Sequence, residues 1–118
     1  MSLKAIPLSA HGALEMFAAP AIMVAPFLLG FGVAATVVAV LIGVLLFGLA
    51  PQLETPSRSV PLSAHAAFDY AIAAAAVAGG LAIGLVVGEW YATAFLVGVG
   101  ATQVMLTAST RFSTARGA

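Results

Sequence analysis

Apolar residues run along this chain in four long blocks broken by short polar punctuation. The first extends from about Leu8 to Phe31 and the second from about Val33 to Ala50. A polar stretch, Pro51 to Ser59, precedes a third block from about Leu62 to Val87 and a fourth from about Trp90 to Ser109. Each block is close to the ~20 residues that carry an α-helix across ~30 Å of hydrocarbon. The runs are continuous rather than alternating, and a membrane barrel needs about eight strands or more, so the pattern predicts helices. Helices also satisfy their own backbone hydrogen bonds where lipid cannot. Gly30 to Val33 and Gly88 to Trp90 read as tight turns, while Pro51, Pro56 and Ser57 separate the second helix from the third. The expected fold is all-α, an integral membrane four-helix bundle forming a single transmembrane domain over residues 1–118.

The bundle is expected to be two copies of one hairpin. Ile6-Pro7-Leu8-Ser9-Ala10-His11 recurs as Val60-Pro61-Leu62-Ser63-Ala64-His65, and an acid follows each His by four residues, Glu15 and then Asp69. The second helices align through Ala35-Thr36 with Ala92-Thr93 and Gly43 with Gly100. Such self-similarity marks one supersecondary unit used twice, here over residues 5–51 and 59–112. A unit that crosses twice keeps its orientation, so the copies are expected to be parallel and related by a pseudo-two-fold axis along the membrane normal. Inverted repeats, frequent in secondary transporters, need an odd number of crossings per unit.

Composition sharpens this reading. Of 118 residues 63% are hydrophobic and 7% charged, far below the roughly 25% charge of soluble chains. The formal net charge is zero, which leaves no basic stripe for nucleic acid. Without cysteine there is no disulfide, thiolate metal site or cysteine nucleophile. The first apolar stretch, with His11, Glu15, Pro20 and Pro26 inside it and only Lys4 before it, reads as a retained helix rather than a signal peptide. All four basic residues, Lys4, Arg58, Arg111 and Arg116, fall on the side of the termini and central loop, so the positive-inside rule places both termini in the cytoplasm. Trp90 and Tyr91 fall at the opposite interface, with Glu89 beside them read as a solvated charge.

A two-helix unit that opens Pro-x-x-x-His-x-x-x-acid and then carries a small-Pro-aromatic step resembles the SPW-repeat membrane proteins of bacteria and archaea. Here that step is Ala25-Pro26-Phe27, followed by Leu28-Leu29-Gly30-Phe31; the second copy has Gly79-Gly80-Leu81 instead of the proline step. The resemblance covers nearly the whole chain. It implies a fold and a location in the bacterial cytoplasmic (inner) membrane, with no activity and no catalytic residues.

The His/acid pairs are the candidate chemistry. A spacing of four puts His11 with Glu15, and His65 with Asp69, on one helical face. Residues eleven apart differ by only ~20° around a helix, so Asp69 lies over Gly80 and Glu15 over Pro26. Gly80, Gly84 and Gly88 form a small-residue ridge suited to close helix packing, and Pro26 belongs to the equivalent face. The ionisable groups therefore point toward protein. His11, Glu15, His65 and Asp69 together suit a divalent metal; His11 and His65 alone suit axial ligation of a haem or binding of a pigment; the chain of four suits proton relay. Against these stands an architectural reading. Each pair lies in the first turns of its helix, where an acid is favoured by the macrodipole, and Ser9 and Ser63 are expected N-caps.

On sequence alone the architectural reading leads. The first expectation is a non-enzymatic accessory or structural subunit, embedded in lipid and packed against other integral membrane subunits, as in a photosynthetic or respiratory complex. The second is a metal-, haem- or pigment-binding membrane protein built on the His/acid pairs. A small transporter or channel is third, and requires a polar path that these Gly- and Ala-rich helices do not offer.

Overall fold

A computed structural model describes residues 5–50 and 62–111. The Pro51–Ser59 loop, Val60-Pro61, Lys4, Arg58 and Arg116 lie outside the described residues. The described residues form four helices in order: α1 Leu8–Leu29, α2 Val33–Leu49, α3 Leu62–Val87 and α4 Trp90–Ala108. Three of them, α1, α3 and α4, are long and apolar enough to cross a membrane. The fourth, α2, has 17 residues and reaches about 26 Å, a little less than the ~30 Å hydrocarbon core.

Helix ends follow local chemistry. Gly30 closes α1 with φ +69 and Gly88 follows α3 with φ +77, a left-handed geometry that a Cβ disfavours. Gly88 therefore belongs to a turn, and nothing within 4 Å would meet a Cβ there, so it is not part of the packing ridge. Its amide is held by the carbonyls of Ile83 and Gly84 at 3.2 and 3.0 Å. At the start of α1 the cap is Pro7, in extended backbone and without a side-chain cap. Ser9 already lies inside the helix, as does Ser63 in α3, so neither serine has the non-helical backbone that a cap requires. Proline at the cap leaves one fewer amide to satisfy, because it carries no N–H.

Close approach of α3 to α4 rests on glycine. A Cβ on Gly80 would stand 2.9 Å from the Leu96 Cβ, and one on Gly84 would strike the Thr93 hydroxyl and the Trp90 ring. Thr93 uses the same contact to donate its hydroxyl to the Gly80 carbonyl at 2.6 Å. Gly43 stands against Ala19 and Met23 in the first hairpin, and Gly100 against Ala73 and Val77 in the second. Gly80→Val is therefore expected to cost about 1–3 kcal/mol by overpacking, measured as a lower midpoint in denaturant unfolding in detergent; an unchanged midpoint would contradict this contact.

Away from His11, Glu15, His65 and Asp69, the interior between the hairpins is largely apolar. Ala19, Ile22, Ile42, Leu46, Ile72 and Ala76 form one buried cluster, and Ala35, Ala39, Ile83, Ala92 and Leu96 another. Buried Pro26 belongs to the inner face of α1, which runs through both Pro20 and Pro26. On the far side, Glu89 accepts the Gly32 amide hydrogen with both carboxylate oxygens, at 2.8 and 3.2 Å. Glu89 is thus a tie between the α3–α4 turn and the start of α2, more than a solvated charge, and it sits where the α2 dipole favours an anion. Removing it by Glu89→Ala is expected to lower stability by about 1 kcal/mol, read from the same unfolding midpoint. Trp90 and Tyr91 remain exposed beside it.

Candidate metal centre

The side of the bundle that carries the two described chain ends holds the polar core. His11, Glu15, His65 and Asp69 are each 0–1% exposed. His11 and Glu15 come from α1, and His65 and Asp69 from α3; the four-residue spacing stacks each pair on its helix face. The structure brings both pairs together. His11 Nε2 lies 3.2 Å from Glu15 Oε1 and 3.0 Å from Asp69 Oδ2. His65 Nε2 lies 3.6 Å from Glu15 Oε1 and 3.1 Å from Asp69 Oδ2. Four atoms, two nitrogens and two oxygens, thus form a ring in which each nitrogen faces both oxygens. The imidazole centroids are 5.9 Å apart with planes at 76°.

Outer contacts orient this ring. The Thr110 hydroxyl donates to the Leu106 carbonyl at 2.6 Å, so its oxygen is left to accept from the His11 Nδ1–H at 2.8 Å. That assigns a proton to Nδ1 and turns the other nitrogen, Nε2, toward the two carboxylate oxygens. A neutral His11 would then set a lone pair against two acceptors, so a positive charge is required between them. Gln103 Nε2 donates to Glu15 Oε2 at 2.8 Å, which holds the other oxygen, Oε1, in the ring. Thr110 itself is placed by the segment after α4. Ile6 N donates to Ser109 O at 2.9 Å, and Arg111 N to Ile6 O at 3.0 Å, in a short parallel bridge.

Among the described residues, the polar support of His11 and Glu15 lies on the α4 side. Gln103, Thr107 and Thr110 form a polar stripe at four- and three-residue spacing along α4 and its end. Across the bundle, the inner face of α2 offers Ile42, Leu46 and Ala50, all buried and apolar. Asp69 Oδ1 and Thr107 Oγ1 are buried and make no hydrogen bond to a described residue. The four-residue His/acid spacing does not reveal Thr110. The signal for Thr110 was its place seven residues beyond Gln103 on the same stripe.

Two carboxylates removed from water carry a desolvation cost of several kcal/mol each unless matched by positive charge and hydrogen bonds. The arrangement can match them in two ways, with imidazolium protons or with a cation. One ligand atom from each of the four residues lies within 4.8 Å of the other three, so the set can hold a metal ion. The four nitrogen–oxygen separations of 3.0–3.6 Å are those of neighbouring ligand atoms around an ion with bonds of about 2.0–2.3 Å. Those bond lengths include the ~2.0–2.2 Å of zinc-class bonds to imidazole nitrogen and carboxylate oxygen. Thr110→Val, which removes the acceptor for His11 Nδ1–H, is expected to weaken metal affinity about 10–100-fold in a competition titration against a chelator dye. No family model, curated protein or solved structure matches the chain.

Proposed function

We propose that this chain is an integral membrane protein that holds one divalent transition-metal ion between its two helical hairpins. The observation that carries the reading is convergence: one ligand atom each from His11, Glu15, His65 and Asp69 lies within 4.8 Å of the other three, while the Thr110 hydroxyl stands at the other ring nitrogen of His11. Two neutral imidazoles, two carboxylates and a dication sum to zero charge, which suits a site closed off from water. The mixed nitrogen and oxygen set suits Zn²⁺, Fe²⁺ or Mn²⁺ and lacks the soft sulfur that would select Cu(I). A haem or pigment is a poorer fit, because the Glu15 and Asp69 oxygens stand between the imidazoles where a macrocycle would lie. Transport across the bundle is disfavoured by the apolar layer of Ile22, Ile42, Leu46 and Ile72.

In this reading the hairpins are parallel repeats about a pseudo-two-fold axis, set in a bacterial cytoplasmic membrane with both termini cytoplasmic. The resemblance to SPW-repeat proteins and the distribution of basic residues support that placement. The ion would be a structural or accessory element rather than a catalyst, since the four ligands leave no open position. Exposed Val33, Val37, Leu41 and Val44 on α2 suit lipid or a neighbouring membrane subunit alike.

The test is to strip the detergent-purified protein with a chelator, reload it with Zn²⁺ and dialyse to equilibrium. One zinc per chain is expected, with an X-ray absorption shell of two nitrogens and two oxygens. Substoichiometric zinc, or a shell of water oxygens alone, would remove the proposal.

A further inference from the structure

The two carboxylates of the polar core are held differently. Each turns one oxygen toward the imidazoles, Oε1 of Glu15 and Oδ2 of Asp69. The second oxygen of Glu15, Oε2, accepts the Gln103 amide hydrogen at 2.8 Å, which fixes the rotation of that carboxylate. The second oxygen of Asp69, Oδ1, is buried and makes no hydrogen bond to a described residue. A buried carboxylate oxygen without a donor is unfavourable unless a cation completes it.

The difference arises in the helices that flank the two acids. In the first hairpin a Cβ on Gly43 would stand 2.9 Å from the Ala19 carbonyl oxygen; in the second, one on Gly100 would stand 2.8 Å from that of Ala73. The two hairpins therefore pack in one register. The step along the chain from Gly43 to Gly100 is also the step from Leu46 to Gln103, and the step from Ala19 to Ala73 is also that from Glu15 to Asp69. Where α4 presents an amide to Glu15, the corresponding position of α2 is Leu46. Leu46 is buried in the same apolar cluster as Ile72, three residues past Asp69 on α3. Its side chain has no hydrogen to donate, so the carboxylate of Asp69 lacks the brace that Glu15 has.

We infer that Asp69 sets the ion selectivity of this site by changing its number of bonds. It gives Oδ2 alone to Zn²⁺, and both oxygens to a larger ion of the Mn²⁺ or Fe²⁺ type. The inference rests on the metal reading. Zinc is satisfied by four ligands in a tetrahedron, whereas manganese takes more ligands and favours oxygen. Selectivity between such ions follows from ligand number and from how freely the ligands can move. Glu15 could supply a second oxygen only by giving up its hydrogen bond from Gln103. Oδ1 of Asp69 has no such bond to break among the described residues.

The test is a competition titration of the chelator-stripped, detergent-purified protein with Zn²⁺ and Mn²⁺. It compares the native chain with Leu46→Gln, Gln103→Leu and, as a control of volume, Leu46→Met. Leu46→Gln supplies the missing amide and is expected to raise the zinc-to-manganese affinity ratio about tenfold. Gln103→Leu releases Oε2 of Glu15 and is expected to lower the ratio, while Leu46→Met leaves it unchanged. The ratio is the readout because a loss of folding or of ligand placement weakens both ions together. X-ray absorption of the native chain loaded with manganese should show one oxygen more in the first shell than with zinc. Ratios that stay fixed or move the same way in Leu46→Gln and Gln103→Leu would overturn the inference, as would identical shells for the two ions. One zinc per native chain with an unmoved ratio sinks this inference alone; no zinc at all removes the metal reading with it.

Discussion

Glu15→Leu is expected to destabilise the protein by about 3–5 kcal/mol, whereas replacing His11, Glu15, His65 and Asp69 together by leucine should be close to neutral. The single change leaves Asp69 and two imidazoles buried away from the surface, and an unmatched buried charge is the costly state. Both changes strand the Gln103 amide, which donates to Glu15, so that loss does not separate them. The fourfold change removes every charge and continues the apolar layer formed below by Ile22, Ile42, Leu46 and Ile72. Denaturant unfolding in matched detergent would separate the two. A fourfold variant as unstable as Glu15→Leu would mean that the charges themselves hold the hairpins together. The fourfold variant should bind no zinc, so stability and metal affinity should part company in one molecule.

The second large effect is the response of stability to metal. A ligand that binds only the folded state at a hundredfold excess over its dissociation constant stabilises by about 2.7 kcal/mol. Zinc is expected to stabilise the native chain by that amount under those conditions, and to leave His11→Ala combined with His65→Ala unmoved. The double variant keeps both carboxylates but loses half the ligand set, including both nitrogens that give transition metals an advantage over Ca²⁺ and Mg²⁺. Thermal unfolding with and without zinc is the measurement. Equal stabilisation of both proteins would place the zinc elsewhere on the chain.

Much of the architecture was readable from the order of residues because long apolar blocks and glycine turns act locally. The third block, Leu62 to Val87, coincides with α3, and the others differ from their helices by one or two residues at one end. The four-residue His/acid spacing likewise predicted inward-facing pairs, since it depends only on helical periodicity. What escaped was everything decided across the bundle. That His11 meets Asp69, 58 positions away, depends on which helix packs beside which. Thr110 became part of the site only because the chain after α4 turns back beside Ile6, 99 positions from His11 in the case of the threonine. Ser9 and Ser63 were read as caps from residue preference, but proline with extended backbone held the cap of α1. Glu89 was read from its neighbours in sequence, while its partner, the Gly32 amide, is 57 residues distant.

The division of the polar core between hairpins also bears on how the chain enters the membrane. Synthesis delivers α1 and α2 first, with His11 and Glu15 facing inward on α1. Their partners Asp69 and His65 arrive with α3, and Gln103 and Thr110 arrive only with the end of α4. Until then Glu15 has only His11 of its own helix to answer it in a non-polar medium, and the two lack the rest of the network. The first hairpin should therefore be a poor passenger by itself, held at the insertion machinery or removed by proteolysis. Supplying the second hairpin as a separate polypeptide, starting anywhere between Ala50 and Leu62, should rescue it. Halves that survive equally well apart would show that the polar contacts are formed without regard to the order of arrival.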